Sequence, residues 1–147
     1  MTTIQKITSP ETFAVRHPVL RKGKPIESCH FDGDDLASTL HFGLFENESL
    51  EGVISLFESK NSLFEAENQI QIRGMAVLEH HQGKGFGRKL ITYCEDFLHQ
   101  KKDLLVWFNA RQNAIGFYQK LGYEIIGDSF EIPEVGTHFV MWKRLNR

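Results

Sequence analysis

Gln82-Gly83-Lys84-Gly85-Phe86-Gly87-Arg88 sets three glycines between an apolar run and a helical pattern. Glycine at alternate positions lets the backbone turn sharply and removes the side chains that would keep its N–H groups away from an anion. A helix starting there adds unpaired N–H groups and the positive end of its dipole. Upstream, Gln69-Ile70-Gln71-Ile72-Arg73-Gly74-Met75-Ala76-Val77-Leu78 opens with alternation and ends apolar, the pattern of a covered strand. Downstream, Phe86, Leu90, Ile91, Cys94, Phe97 and Leu98 recur at three- and four-residue steps and form one apolar helical stripe. The junction therefore reads as strand, glycine loop, helix.

Two other phosphate-binding loops do not match. A P-loop needs Gly-x-x-x-x-Gly-Lys-Ser/Thr, whereas Lys84 is followed by Gly85 and no hydroxyl. A dinucleotide fingerprint needs G-x-G-x-x-G, whereas Gly83, Gly85 and Gly87 stand at uniform steps of two and position 88 is Arg. The pattern that does match is Gln/Arg-x-x-Gly-x-Gly/Ala, filled by Gln82, Gly85 and Gly87. With it the chain resembles the GNAT superfamily of acyl-CoA-dependent N-acetyltransferases. A second segment strengthens the resemblance. Leu104 to Phe108 reads as a strand, and Asn109-Ala110-Arg111-Gln112-Asn113-Ala114-Ile115-Gly116-Phe117-Tyr118-Gln119-Lys120-Leu121-Gly122-Tyr123 is similar to the family's second half-motif. The order strand, helix, strand, helix is that of a βαβα unit.

The resemblance implies a fold, a co-substrate and a set of residues. The expected fold is α/β (α+β), a single domain over residues 1–147 with a mixed, twisted sheet of about six to seven strands and helices on both faces. The expected co-substrate is acetyl-CoA. Gln82, Gly83, Lys84, Gly85, Phe86, Gly87 and Arg88 would hold its pyrophosphate, with Lys84 and Arg88 adding charge. Met75, Ala76 and Val77, with Val106 to Asn109, would hold the pantetheine arm, and an N–H at Met75 or Ala76 would polarise the thioester. Asn113 is expected to cap the helix after the second strand and to reach the co-substrate. Arg16-His17-Pro18-Val19-Leu20-Arg21, Asp32-Gly33-Asp34-Asp35-Leu36 and His41 resemble the ElaA-like branch, while Lys22-Gly23-Lys24-Pro25 departs from it.

Acyl transfer to an amine needs a neutral amine, a polarised carbonyl and a stabilised leaving thiolate. No covalent enzyme intermediate is needed, because holding both substrates together is itself worth up to ~7–11 kcal/mol. The resemblance places Tyr118 near the sulfur as the acid; the plain alternative is an aromatic packed with Phe117 and Leu121. Gln71 occupies a position where some relatives carry a glutamate base, and an amide cannot accept the proton. Glu79, His80 and His81 follow the strand and are the candidate bases, acting directly or through water; Glu124 and His138 are further candidates. Arg16 and Arg21 with Asp32, Asp34 and Asp35 read either as an acceptor pocket with an acidic rim, favouring a cationic amine, or as a solvated acidic loop. The acceptor is a primary amine of a small molecule or peptide. The competing function is a catalytically idle acyl-CoA-binding sensor or regulatory module.

Composition bounds these readings. A chain of 147 residues fits one domain able to bury roughly two thirds of its unfolded surface. A net charge of −2 offers no field for a polyanion, which argues against nucleic acid. Cys29 and Cys94 make neither a disulfide framework nor a zinc site, and His80-His81 shows no third ligand nearby, so no metal is expected. No apolar stretch approaches the ~20 residues of a membrane span and no signal peptide is evident, so a cytoplasmic location is expected. A homodimer is left open.

The remaining elements follow from local chemistry. Thr3 to Thr8 reads as a strand. Ser9-Pro10-Glu11 reads as a helix start with Ser9 as cap, and His17-Pro18 as its early break or bend. Leu40 to Glu46 and Leu50 to Glu58 flank Asn47-Glu48-Ser49 as a hairpin. Lys60 to Asn68 is an excursion or short helical turn, and Glu124 to Gly127 with His138 to Lys143 closes the sheet as an antiparallel pair.

Overall fold

The computed structural model describes residues 1–99 and 103–145. Strands β1 (Thr2–Ile7), β2 (Leu40–Glu46), β3 (Ser49–Glu58), β4 (Asn68–Val77), β5 (Leu104–Arg111), β6 (Glu124–Ile132) and β7 (Gly136–Leu145) form one seven-stranded sheet in the order β1-β2-β3-β4-β5-β7-β6. β4 and β5 pair in parallel, while β1–β2, β2–β3, β5–β7 and β6–β7 are antiparallel. The helices are α1 (Ser9–Leu20), α2 (Phe86–Leu98) and α3 (Ile115–Lys120). This is the mixed α+β architecture that the motif order predicts. The chain forms two compact units, Met1–Phe57 with Ile72–Phe97, and Glu58–Gln71 with Leu98–Arg147.

In the first unit, Ile7, Val15, Val53 and Ala76 form a buried cluster with Val19, Leu20, Phe45, Leu50 and Leu78 against it. Strand, helix and hairpin each contribute apolar side chains, and β3 is buried along most of its length, as its apolar run suggests. α2 buries Phe86, Leu90, Ile91, Cys94 and Leu98, as its stripe requires, and burial pushes the Cys94 thiol's pKa well up. Phe97 departs from the stripe: it is exposed, resting edge-on against Phe42.

α1 corrects two expectations. Its cap is Thr8, not Ser9: Thr8 Oγ1 accepts from the Glu11 N–H while Glu11 Oε1 accepts from the Thr8 N–H at 2.7 Å, a reciprocal capping box. Pro18 does not end the helix, which runs on to Leu20. The proline lies in the last turn, where little helix remains to lose, and the Arg21 N–H recloses the end on the Arg16 and His17 carbonyls. The β2–β3 hairpin turns on Asn47 and Glu48, with φ of 51° and 74°, the left-handed pair that a two-residue turn demands.

In the second unit, Leu105, Trp107 and Val140 pack with Phe64, Ala66, Ile126, Phe130 and Trp142. The excursion before β4 is a loop: Gln69 accepts from the Asn61 N–H at 2.7 Å and donates to the Ala66 carbonyl at 3.0 Å. The Trp107 indole donates to the Ser59 carbonyl at 2.9 Å. β5 runs through Asn109 to Arg111, pairing with β7, because Phe108 and Ala110 are buried while Asn109 and Arg111 are exposed. β6 is longer than its apolar start suggests, since a register shift between Ile126 and Phe130 carries it past Gly127.

Candidate active site

β4 ends in a 3-10 turn, Glu79–His81, which enters the glycine loop. Gln82 anchors this entry: its side-chain amide donates to the Val77 carbonyl at 3.0 Å. Gly83 and Gly85 have φ of 85° and 83°, a backbone that other residues adopt only with strain, and a Cβ at either would meet nothing within 4 Å. These glycines answer a conformational demand in open surroundings, not crowding. The Lys89 N–H makes the bond to the Gly85 carbonyl that starts α2, at 3.1 Å. Helix geometry leaves the amides of Phe86, Gly87 and Arg88 without intrahelical acceptors. Lys84 and Arg88 are exposed beside them, whereas the Phe86 side chain is buried and stacks on His81 at 5.1 Å. Phe86 thus offers a ligand only its main chain. Open glycines, free helix amides and two exposed cations suit a pyrophosphate.

Along β4, Gly74 has φ of 67°, and a Cβ there would lie 2.9 Å from Phe31 and 3.3 Å from Arg16 Nε. The strand is therefore distorted immediately before Met75 and Val77, which are half-buried, and Ala76, which is buried. Arg73 lies over the Phe31 and Phe57 rings at 4.9 and 5.1 Å, and burial lowers its pKa.

Tyr118 is half-buried on α3, with the Phe108, Phe117 and Tyr123 rings at 4.4, 5.1 and 6.4 Å. Burial pushes its phenol up to about 12. It therefore holds its proton more firmly than an ordinary phenol. Asn109 is exposed on β5. Asn113 is exposed inside the 3-10 turn Gln112–Ala114 and does not cap α3; Ala114 holds that position without a side-chain bond. A short turn intervenes between strand and helix, which displaces the cap by one residue.

Of the residues that read as an acceptor pocket or a solvated acidic loop, Arg16 and Asp34 form a buried network. Arg16 is fully buried and donates from Nη1 to Asp34 Oδ2 at 2.6 Å and to the Cys29 carbonyl at 2.8 Å, and from Nη2 to Asp34 Oδ1 at 3.2 Å and Ser55 Oγ at 3.0 Å. Asp34 also accepts from the Phe31 N–H and the Ser9 hydroxyl. Burial works against its charge, and these bonds outweigh it, so the carboxyl's pKa lies below the ordinary value. His41 extends the network: Nε2 donates to the Asp34 carbonyl, so Nδ1 is left to accept from Ser55 Oγ at 2.6 Å. Asp32 and Asp35 stay exposed, and Asp35 pairs with His30 at 3.0 Å.

Of the candidate bases, Glu79 and His80 are exposed at the end of β4 and His81 is buried. Glu124 is exposed, while His138 is buried, its Nδ1 donating to the Gly136 carbonyl at 2.8 Å. Glu51 was missed. It is buried on β3, with Oε1 3.3 Å from His80 Nε2 and 3.2 Å from His81 Nε2. Leu44 pairs with Gly52 and Phe45 with Leu50, so Glu51 is the extra residue of a β-bulge, a device that re-aims a side chain. The available signal was a carboxylate inside an apolar strand run.

Among the described residues, no helix is long and apolar enough to cross a membrane. The acetyltransferase (GNAT) family model matches residues 3–123. An uncharacterized N-acetyltransferase of Bacillus subtilis (strain 168), YitI, is 33% identical over 145 residues, covering 99% of this chain and 97% of its own. Among solved structures, ElaA of Escherichia coli matches with a TM-score of 0.76 at 19% identity, covering 97% of this chain and 99% of its own. An aminoglycoside 6'-N-acetyltransferase complexed with coenzyme A matches with a TM-score of 0.77 at 11% identity, covering 99% and 98%. At those identities the structural likeness is one of fold. With the family match spanning most of its length and the glycine loop in place between β4 and α2, the chain belongs to the GNAT family of acetyltransferases.

Proposed function

We propose that the whole chain acts as one N-acetyltransferase domain, moving acetyl from acetyl-CoA to a primary amine of a small molecule or peptide by direct attack in a ternary complex. The glycine loop carries this reading. The main-chain amides of Gly83, Gly85, Phe86, Gly87 and Arg88 bind the pyrophosphate, and Lys84 and Arg88 neutralise its charge. Met75, Ala76 and Val77 present backbone to the pantetheine, with Asn109 and Asn113 on the second strand and turn. The neutral amine attacks the thioester carbonyl, the C–S bond breaks, and the sulfur leaves with the electron pair.

Tyr118 stabilises that sulfur. With its pKa near 12 against ~8.5 for an ordinary thiol, full proton transfer from the phenol is uphill, so it acts first as a hydrogen-bond donor to the thiolate. Exposed Glu79, with solvent, takes the amine's proton, and His80 turns its Nε2 to Glu51 instead.

The test is a thiol-release screen with acetyl-CoA over polyamines, amino acids, aminoglycosides, amino sugars and peptide N-termini, with CoA and ATP binding measured by calorimetry. Turnover with at least one amine is expected, and Tyr118→Phe should lose well over about tenfold in turnover while binding acetyl-CoA normally. Binding without turnover on any amine would favour the idle sensor module, and preference for ATP would overturn the co-substrate.

A further inference from the structure

The fold supplies what the sequence lacked at His80-His81: a third ligand. We propose that Glu51, His80 and His81 bind a divalent transition-metal ion of the zinc type, with Glu46 or water completing the shell. The donor atoms of Glu51, His80 and His81 lie within 4.8 Å of one another. Glu51 Oε1 stands 3.2 and 3.3 Å from the two Nε2 atoms, and Glu46 Oε1 stands 3.5 Å from His81 Nε2. A tetrahedral ion with bonds of ~2.0–2.1 Å spaces its ligands by about 3.3–3.4 Å. The two Glu51–imidazole separations and the Glu46–His81 separation thus match edges of such a tetrahedron, and the two imidazole donors lie within 4.8 Å of each other.

A second observation is independent of these spacings. Glu51 Oε1 is buried and, among the described residues, has no hydrogen-bond partner, although two imidazole nitrogens stand at ion-pair distance. A proton-mediated pair would put an N–H on the line to the oxygen; here neither is aligned. A buried carboxylate oxygen without a hydrogen bond is costly, and a cation among the three groups removes that cost. The set is also held in place. The β-bulge at Glu51 aims its side chain, the Leu78 N–H donates to the Glu51 carbonyl at 2.9 Å, and His81 is flanked by Phe86 at 5.1 Å and His80 at 4.2 Å. Lys84 Nζ, 3.3 Å from His81 Nδ1, is the competing cation. Since it can only donate, a metal on Nε2, with the ring proton on Nδ1, sends it back to solvent.

The experiment is titration of the full chain, freed of metal by a chelator, with Zn²⁺ alone by calorimetry and with Co²⁺ by visible absorption. One ion per chain and tetrahedral cobalt bands are expected. Glu51→Gln and His81→Asn should each weaken binding by at least the ~10–100-fold typical of losing a supporting residue of a metal site. His17→Asn, elsewhere on α1, should leave it unchanged. Should the buried variants misfold, His80→Asn, on an exposed ring, carries the same expectation, and zinc should raise the melting temperature of the wild type but not of this variant. Absence of saturable binding, or wild-type affinity in His80→Asn, would overturn the site.

Discussion

Asp34 and Glu51 are both carboxylates buried in the first unit, and their surroundings differ in one respect. Asp34 accepts from both ends of the Arg16 guanidinium, from the Phe31 N–H and from the Ser9 hydroxyl. Glu51 Oε1 accepts from none of the described residues, with two imidazoles beside it at ion-pair distance but misaligned. In a low-dielectric interior the first arrangement satisfies its charge and fixes the fold, while the second leaves a lone pair free for something else. Neither buried charge nor one unmet polar atom marks a site alone, since Arg16 Nε in the Asp34 network also lacks a partner among the described residues; what distinguishes Glu51 is a free acceptor oxygen facing two imidazoles.

The strongest way to break the comparison is Asp34→Asn. It leaves Arg16 buried opposite a neutral amide, and losing one member of a buried pair costs about 3–5 kcal/mol, a large share of the ~5–15 kcal/mol that holds a domain together. Urea unfolding at neutral pH measures it. The pH dependence gives an independent readout. The folded pKa of Asp34 is depressed, so its contribution is present above the unfolded value near ~3.9 and is lost as pH falls through the lower folded value. The wild type should lose stability along that acid limb, and Asp34→Asn should lack this part of the loss. A variant within about 1 kcal/mol of wild type would show that the network is not a folding element.

The same contrast explains what could be read from the chain. The fold was legible because periodicity reports burial: alternation in Gln69 to Leu78 and the stripe from Phe86 to Leu98 each name a covered face. The glycine loop was legible because Gly83 and Gly85 answer a backbone demand that few residues meet. Asp34 and Glu51 were not, because each role depends on partners far along the chain. Asp34 needs Arg16 and Ser55 to be a folding element and not a pocket rim. Glu51 needs the bulge to bring it to His80 and His81. Local punctuation misled where tertiary anchoring prevailed: Pro18 sits inside a helix held by buried Val15 and Arg16, and Asn113 falls in a turn that only the extension of β5 to Arg111 creates.

An intermediate effect sharpens the contrast from the other side. Glu51→Leu replaces a carboxylate whose Oε1 has no hydrogen bond among the described residues by an apolar group of similar size, and such exchanges are close to neutral or stabilising when no partner is left stranded. In chelator-treated protein its unfolding free energy should lie within about 1 kcal/mol of wild type or above it. A loss as large as that of Asp34→Asn would mean that the two imidazoles already satisfy Glu51 as protonated partners, and the distinction between the carboxylates would fail.

The smallest lever is the turn of the β2–β3 hairpin, because that hairpin serves both carboxylates. His41 and Ser55 face each other across it on the Asp34 side, while Glu46 and Glu51 lie near its turn. Its register therefore sets both clusters, and the turn fixes the register. Asn47 tolerates the left-handed backbone, but Glu48, at φ of 74°, pays a steric cost there that glycine avoids. Glu48→Gly should stabilise the chain by up to about 1 kcal/mol, with zinc affinity unchanged because the pairing is the same. The unfolding midpoint and the zinc titration check the two halves together. A gain in stability with altered zinc binding would show that the turn had been holding Glu51 off its preferred position, and a loss of stability would show that the Glu48 side chain contributes more than its backbone strain removes.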